Sequence, residues 1–446
     1  MLIPIFEKLT KPVSAISLSF FRIAFGLLMF LSICRFISKG WINEFYIQPK
    51  FFFPFIEAAW FQPLPGVGMY VVFTILLISS FFIFLGFFYR LAAISFFICF
   101  TYVELLDKSY YLNHYYLISL LSFLIIFLPL NCCNSLDVNY RKCGSKLFIP
   151  RWMLVVLRLQ IGMVYFFAGI AKIKYDWLML AQPLRIWLPA NSDFPIIGPL
   201  LEQVWVAYAF SWAGMVFDIS APFLLLFKKT RVPAFILVVV FHTFTFFLFN
   251  IGMFPWIMMS MAMIFFSANT HSKILEFLFP FLITKNEIIK SENTLVLDFN
   301  SLKAATIFFI IYFCIQVFVP LRNISNPENM LWTERGYRFS WNVMLMEKNA
   351  FIEIFMKDVV TKKEWMVQLD SILTPQQMRM MSTQPDMILQ FSRSIAQAHF
   401  NKTAHKAEVR AECFVSLNGR ASKQLINPKV DLATAEYSNN DWIFNK

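Results

Sequence analysis

Apolar runs of about twenty residues, each closed by a short polar stretch, fill the first 320 positions of the chain. A helix that crosses a bilayer needs about 20 mostly apolar residues. Seven runs come close to or exceed that length: 17–37, 68–89, 111–130, 151–172, 204–227, 232–249 and 303–320. Two shorter ones, 91–105 and 251–267, follow their predecessors with little or no loop. The pattern predicts a polytopic α-helical membrane protein of about nine spans.

After residue 321 the periodicity changes. "GYRFSWNVMLM" (336–346), "AFIEIFMKD" (350–358), "EWMVQL" (364–369) and "AEVRAECFVSLNG" (407–419) carry β-branched and aromatic residues with some alternation and read as strands. The stretch 374–400 is helical in pattern, with Thr374 as its cap and Pro385 as a break or restart. Two domains follow: a transmembrane helical domain at 1–321, expected to hold the active site, and a mixed α/β extramembrane domain at 322–446.

Composition supports the membrane reading. Hydrophobic residues make up 58% of the chain and charged residues 15%, with 55 phenylalanines, whereas soluble domains carry about 25% charged residues. The net charge of +12 comes from scattered lysines and arginines, with no basic stripe interleaved by aromatics, so no nucleic acid is expected as a partner. These charges instead set topology. With the N-terminus cytoplasmic, the inner loops hold Arg90, then Arg141, Lys142, Lys146 and Arg151, then Lys228, Lys229 and Arg231, then Lys273, Lys285 and Lys290. The opposite loops are poorer in such residues, which is the positive-inside pattern and puts the C-terminal domain outside the cytoplasm. Cys132, Cys133 and Cys143 share one loop but have no histidine nearby and no zinc-like spacing, so no metal is expected.

Polar residues inside spans are costly and are functional candidates by default. Four groups stand out: Asn113 and His114 after Asp107 and Lys108; Lys172 and Lys174 at the end of the 151–172 run; Asp218 and Ser220 before Pro222; and His242, Thr243, Thr245 and Asn250 before Gly252 and Pro255. Lys172 and Lys174 cannot both point the same way on a helix, so one snorkels to water and the other turns inward. An aspartate such as Asp218 needs a partner. Together these groups suggest an apolar cavity near the non-cytoplasmic leaflet. A lysine buried there sheds its proton readily, because desolvation disfavours its charged form. It then serves as a general base towards a lipid-soluble acid such as a quinol, with His114 and Asn113 orienting it.

Seven stretches in order along nearly the whole chain resemble the vitamin K-dependent gamma-glutamyl carboxylases and their bacterial homologues. They are "FRIAFGLLMFL" (21–31), "FLGFFYRLAAISFFICFTYVELLDKSYYLNHYYL" (84–117), "IGMVYFFAGIAKIKYDW" (161–177), "DISAPFLLLF" (218–227), "FHTFTFFLFNIGMF" (241–254), "WTERGYRFSWNVM" (332–344) and "VSLNGRASKQLINPKVDL" (415–432). The resemblance implies a two-part reaction. A lysine deprotonates reduced vitamin K, and the anion reacts with O2 to give a far stronger base. That base removes a proton from the γ-carbon of a protein glutamate, the carbanion takes up CO2, and the quinone leaves as its epoxide. It further implies Lys172 as the base, His114 and Asn113 as the polar pair beside it, Tyr337 and Trp341 near the glutamate and quinone, and His242 in the pocket wall.

This sequence departs from animal members of the family at Ala171 and Lys174, where they carry a lysine and an aspartate, and it has a shorter luminal region. For a bacterial chain the cofactor expected is menaquinol and the outer domain is periplasmic. In a eukaryotic chain that domain is luminal, and Asn323 and Asn401 stand in glycosylation sequons. The expected partners are a glutamate-containing protein or peptide and the lipid bilayer. Two alternatives carry different chemistry: a quinol epoxidase that carboxylates nothing, and a transporter or lipid-binding scaffold.

Overall fold

Hydrophobic length sets the architecture. In a computed structural model, describing residues 7–58, 60–141, 145–249, 251–283, 295, 298–322, 329–439 and 441–444, six helices are long and apolar enough to cross a membrane. They are α1 (Ile16–Ser38), α2 (Gly68–Leu85), α5 (Trp152–Ala171), α7 (Val204–Leu226), α8 (Arg231–Leu248) and α10 (Phe299–Leu321). The other three predicted positions hold shorter helices: α3 (Tyr89–Leu105), α4 (Asn113–Phe127) and α9 (Phe254–Ala262), while α6 (Tyr175–Leu178) is a single turn. Among the described residues, six helices thus meet the length and composition of a span, and the expected count of about nine is not confirmed. Between α3 and α4 the reason is local. The chain folds residues 106–109 into a buried polar turn, in which Asp107 accepts from Ser109 N at 2.8 Å. Lys142, Cys143, Asn250, Lys285, Lys290 and Asn323 lie outside the described residues.

Glycines set the closest helix approaches. Gly26 of α1 lies against the backbone of Phe84 in α2, with no room for a Cβ. On α5, Gly162 and Gly169 sit seven residues apart, on the face turned to α7. A Cβ on Gly169 would stand 2.5 Å from Ile219 Cγ1 and 2.8 Å from the Ile219 backbone N. Small residues at this spacing let two backbones meet without interposed side chains.

Buried charge is handled by saturation. Arg22 of α1 is fully buried. Its Nη1 donates to Ile83 O at 2.8 Å and also to Phe84 O, its Nη2 to Asn134 O at 2.5 Å and its Nε to Leu130 O at 3.1 Å. The Ile83 and Phe84 carbonyls belong to the last turn of α2, and Ile83 O also accepts from Gly86 N at 3.1 Å.

The C-terminal part is a four-stranded antiparallel sheet in the order β2-β1-β3-β4, with β1 at Lys348–Asp358, β2 at Glu364–Met366, β3 at Ala407–Leu417 and β4 at Lys423–Gln424. Strands β1 and β3 pair from Lys348↔Leu417 to Asp358↔Ala407. Period-2 alternation turns Val409, Ala411, Cys413 and Val415 inward, against Met387, Ile388 and Phe391 of helix α12 (Pro385–Thr403). Helix α11 (Pro375–Met381) opens on a capping box between Thr374 and Gln377, and α12 restarts at Pro385, both as the sequence pattern predicts.

Residues 336–346 do not form the expected strand. Gly336, Phe339, Trp341 and Met344 all have positive φ, so the segment coils. It buries Trp341 against Tyr116 of α4 at a ring distance of 4.9 Å. Tertiary burial of its aromatics overrides their strand preference. The C-terminal part is clasped to the helices at two places. Lys108 Nζ donates to Gln390 Oε1 at 2.9 Å, with Asp386 Oδ2 at 3.5 Å. On the other side, Arg420 forks onto Asp176 at 2.6 and 2.7 Å. Burial opposes ionisation of Asp386, yet the Arg338 guanidinium and Lys108 outweigh it and hold its carboxyl below the usual carboxylate range.

Two outcomes follow. Gly169→Val separates α5 from α7; we expect a loss of ~1–3 kcal/mol, as for strained overpacking with backbone displacement, read as a lower thermal midpoint in detergent. Asp358, at the end of β1, accepts backbone N–H bonds from Thr361 and Val360 at 2.8 Å and faces His399 and His405 at 2.9 and 3.0 Å. The Thr361 bond comes first among the causes that hold its carboxyl well below the ordinary range. A depressed carboxylate contributes its stability above the unfolded-state value of about 3.9 and loses it as pH falls through the folded value. Asp358→Asn should therefore melt at a lower temperature than wild type at pH 7, with the gap closing as the pH is lowered below about 4.

Candidate functional site

Helical spacing brings the first polar cluster together. Tyr165, Ala168 and Lys172 fall three and four residues apart and so share one face of α5. Lys172 is the residue that ends the helix, where unpaired carbonyls favour a cation. Its Nζ donates to Ala168 O at 3.2 Å and to Asp218 Oδ2 of α7 at 2.7 Å. Both side chains of this ion pair are 7% exposed. Trp177 covers the ammonium, with its ring centroid 5.5 Å away, a favourable cation–π distance. The pair exists because Gly169 lets the backbones of α5 and α7 touch one turn below it.

Lys172 and Asp218 stand in the wall of an apolar cavity of about 820 Å³, including its open mouth, with Tyr165, Gly214, His242 of α8 and Phe254 of α9. Tyr165 OH and His242 Nε2 are 2.9 Å apart. The other ring nitrogen of His242, Nδ1, is buried without a hydrogen-bond partner. Buried polar atoms are nearly always paired, and this unpaired one belongs to a residue that lines the cavity.

A second, larger cavity of about 2450 Å³, including its open mouth, lies beside the first. Asn113, His114 and Tyr337 line it, as do Arg35, Glu104, Lys108, Arg338 and Arg379. Ile251, Phe254, Val343 and Met344 line both cavities and form the partition. Phe254 stands between the histidines, with ring distances of 6.0 Å to His114 and 5.9 Å to His242.

The sequence-derived residues thus fall into three places. Lys172 and His242 share the apolar cavity. His114, Asn113 and Tyr337 share the polar one. Asn113 does not reach Lys172; its Nδ2 donates to Asn342 O at 3.0 Å and its Oδ1 accepts from Tyr111 OH at 3.3 Å. Trp341 lines neither cavity and packs in the helix core, 1% exposed. Lys172 is not the solitary amine that its sequence context suggests: Asp218 is its partner. Lys174, by contrast, is only half-buried, as snorkelling requires. Two site residues escaped sequence reading. Tyr165 was legible as a polar ring two helical turns before Lys172. Glu104 was legible as an acid inside the predicted span 91–105.

Among the described residues, no cluster of histidine, cysteine and carboxylate side chains is arranged to hold a metal ion. No solved structure matches the chain. Two family models do. The HTTM domain matches residues 10–269, more than half the chain, and the vitamin K-dependent gamma-carboxylase lumenal domain matches residues 301–446. The apolar helices and the HTTM match make this an integral membrane protein. With the lysine-lined apolar cavity beside the cation-rich one, and with both family segments in sequence order, the chain belongs to the vitamin K-dependent gamma-carboxylase family.

Proposed function

We propose that the protein converts protein glutamate to γ-carboxyglutamate and couples this to oxidation of a reduced vitamin K, menaquinol, to its epoxide, with O2 and CO2 as co-substrates. The observation that carries the reading is the Lys172–Asp218 pair in the wall of the apolar cavity. A naphthoquinol is apolar except for two hydroxyls, and this cavity is mostly apolar, its polar groups being the pair, the Tyr165–His242 couple and Thr245.

In an apolar wall, an ammonium and a carboxylate 2.7 Å apart are two costly charges that one proton transfer neutralises. Lys172 reaches its neutral, basic form by passing a proton to Asp218 Oδ2. Its lone pair then accepts a proton from a quinol hydroxyl, and His242 Nδ1 holds the other. Phe254 and its neighbours exclude water, which would quench a strong base. The polar cavity takes the glutamyl side chain. Arg35 and Arg379 line it and enter no ion pair among the described residues, so they are available to a carboxylate. In this reading 1–321 is the membrane domain and 322–446 an outer domain, with the N-terminus cytoplasmic. The partition between the cavities favours one second reading, a quinol epoxidase without carboxylation, since the apolar side holds its own base.

Lys172→Ala should abolish quinol oxidation, and Lys174→Ala should leave it within ~2-fold of wild type. Purified protein supplied with menaquinol, O2, labelled CO2 and a glutamate-containing peptide checks both. Equal loss from the two variants would misplace the base, and epoxide without label in the peptide would favour the epoxidase. Asp218→Ala leaves a buried cation unpaired, which costs ~3–5 kcal/mol; we expect a strongly lowered melting temperature together with lost oxidation, whereas Asp218→Asn should fold better and still oxidise poorly.

A further inference from the structure

One buried acid takes no part in the chemistry above. Glu104 stands in the last turn of α3, 6% exposed, in the wall of the polar cavity that also holds His114. Its Oε2 accepts a hydrogen bond from Ser119 Oγ of α4. Its Oε1 is buried and has no partner, and Glu104 enters no ion pair among the described residues. A bare carboxylate oxygen in such a wall is costly. A neutral acid is not: Oε2, which takes the Ser119 hydrogen, is then the carbonyl oxygen, and Oε1 carries the O–H.

We propose that Glu104 is a catalytic hydrogen-bond donor, whose Oε1–H meets the γ-carboxylate of the bound glutamyl side chain and stabilises the charge that builds there. This rests on the carboxylase reading. When the γ-carbon loses its proton to the base made from quinol and O2, the C–H electron pair moves into the carboxylate, which becomes a doubly charged enediolate. The proton stays on oxygen derived from O2 and leaves as water. The enediolate then passes its electron pair to CO2, the new C–C bond forms, and each carboxylate carries one charge. Glu104 keeps its own proton throughout. A preorganised donor aimed at developing charge acts on the transition state rather than on substrate binding.

The test uses full-length protein in detergent with menaquinol, O2, labelled CO2 and a short glutamate-containing peptide. It reads epoxide, label in the peptide, and loss of deuterium from the γ-carbon. Glu104→Ala and Glu104→Met, the second keeping the volume, should lower carboxylation and deuterium loss per epoxide by at least ~10-fold, with the peptide KM within about 3-fold of wild type. Glu104→Gln keeps an acceptor for Ser119 and an N–H donor, and should restore the ratio to within about 3-fold. An unchanged ratio in the Ala and Met variants overturns the proposal. So does a Gln variant as poor as Ala, since that requires an ionised acid. Wild-type protein that forms epoxide but never labels the peptide sinks the carboxylase reading itself, whereas failure confined to the Glu104 variants sinks only this role.

Discussion

A lysine and an aspartate held 2.7 Å apart in an apolar wall are the constraint around which the membrane part is arranged. Neither charge is tolerable there alone. Each element nearby answers that demand. The C-terminus of α5 offers carbonyl oxygen to the ammonium, as Ala168 O does at 3.2 Å. Trp177 offers its ring face, and Trp177 itself is fixed to α7 by its indole N–H donating to Ser211 O at 2.9 Å. Gly169 removes the side chain that would hold α7 away. For the base proposed here, which must be neutral to act, a carboxylate 2.7 Å away offers a place for its proton.

The same economy of water explains why there are two cavities. An apolar chamber suits a lipid-soluble ring, and a chamber rimmed with arginines and lysines suits a carboxylate. Merging them would bring the polar chamber up to the Lys172–Asp218 pair. Half of the wall between them comes from α9 and the turn before it, through Ile251 and Phe254. The other half comes from the coiled segment of the C-terminal part, through Val343 and Met344. The site is therefore incomplete without the C-terminal part. This gives a physical reason for the clasps at Lys108 and Asp176, which hold that segment over the helices.

Buried polar atoms divide into those that structure consumes and those it leaves over. The Arg22 guanidinium is spent on carbonyls at helix ends and loops, and Asp107 on Ser109 and Gln377, 2.8 Å from each. Among the buried atoms left without a partner are His242 Nδ1 and Glu104 Oε1, whose residues line the two cavities.

The sequence by itself determined the helical membrane class, the place of every long helix, the change of character after residue 321 and the capped helices at Thr374 and Pro385. Each of these depends on local hydrophobic length, periodicity or capping, which a single segment carries. It also marked Lys172 and Asp218 as in-span charges, 46 positions apart, because an ionisable group in an apolar run is conspicuous without any neighbour. That the two are partners is a property of α5 against α7, and no local pattern encodes it. The separation of His114 from Lys172 by Phe254 and the coil at 336–346 in place of a strand were likewise decided only by tertiary packing, which also ties the turn at Asp107 to Gln377 of α11. In each case a side chain from a distant segment occupies the space, or supplies the hydrogen bond, that local preference had left open.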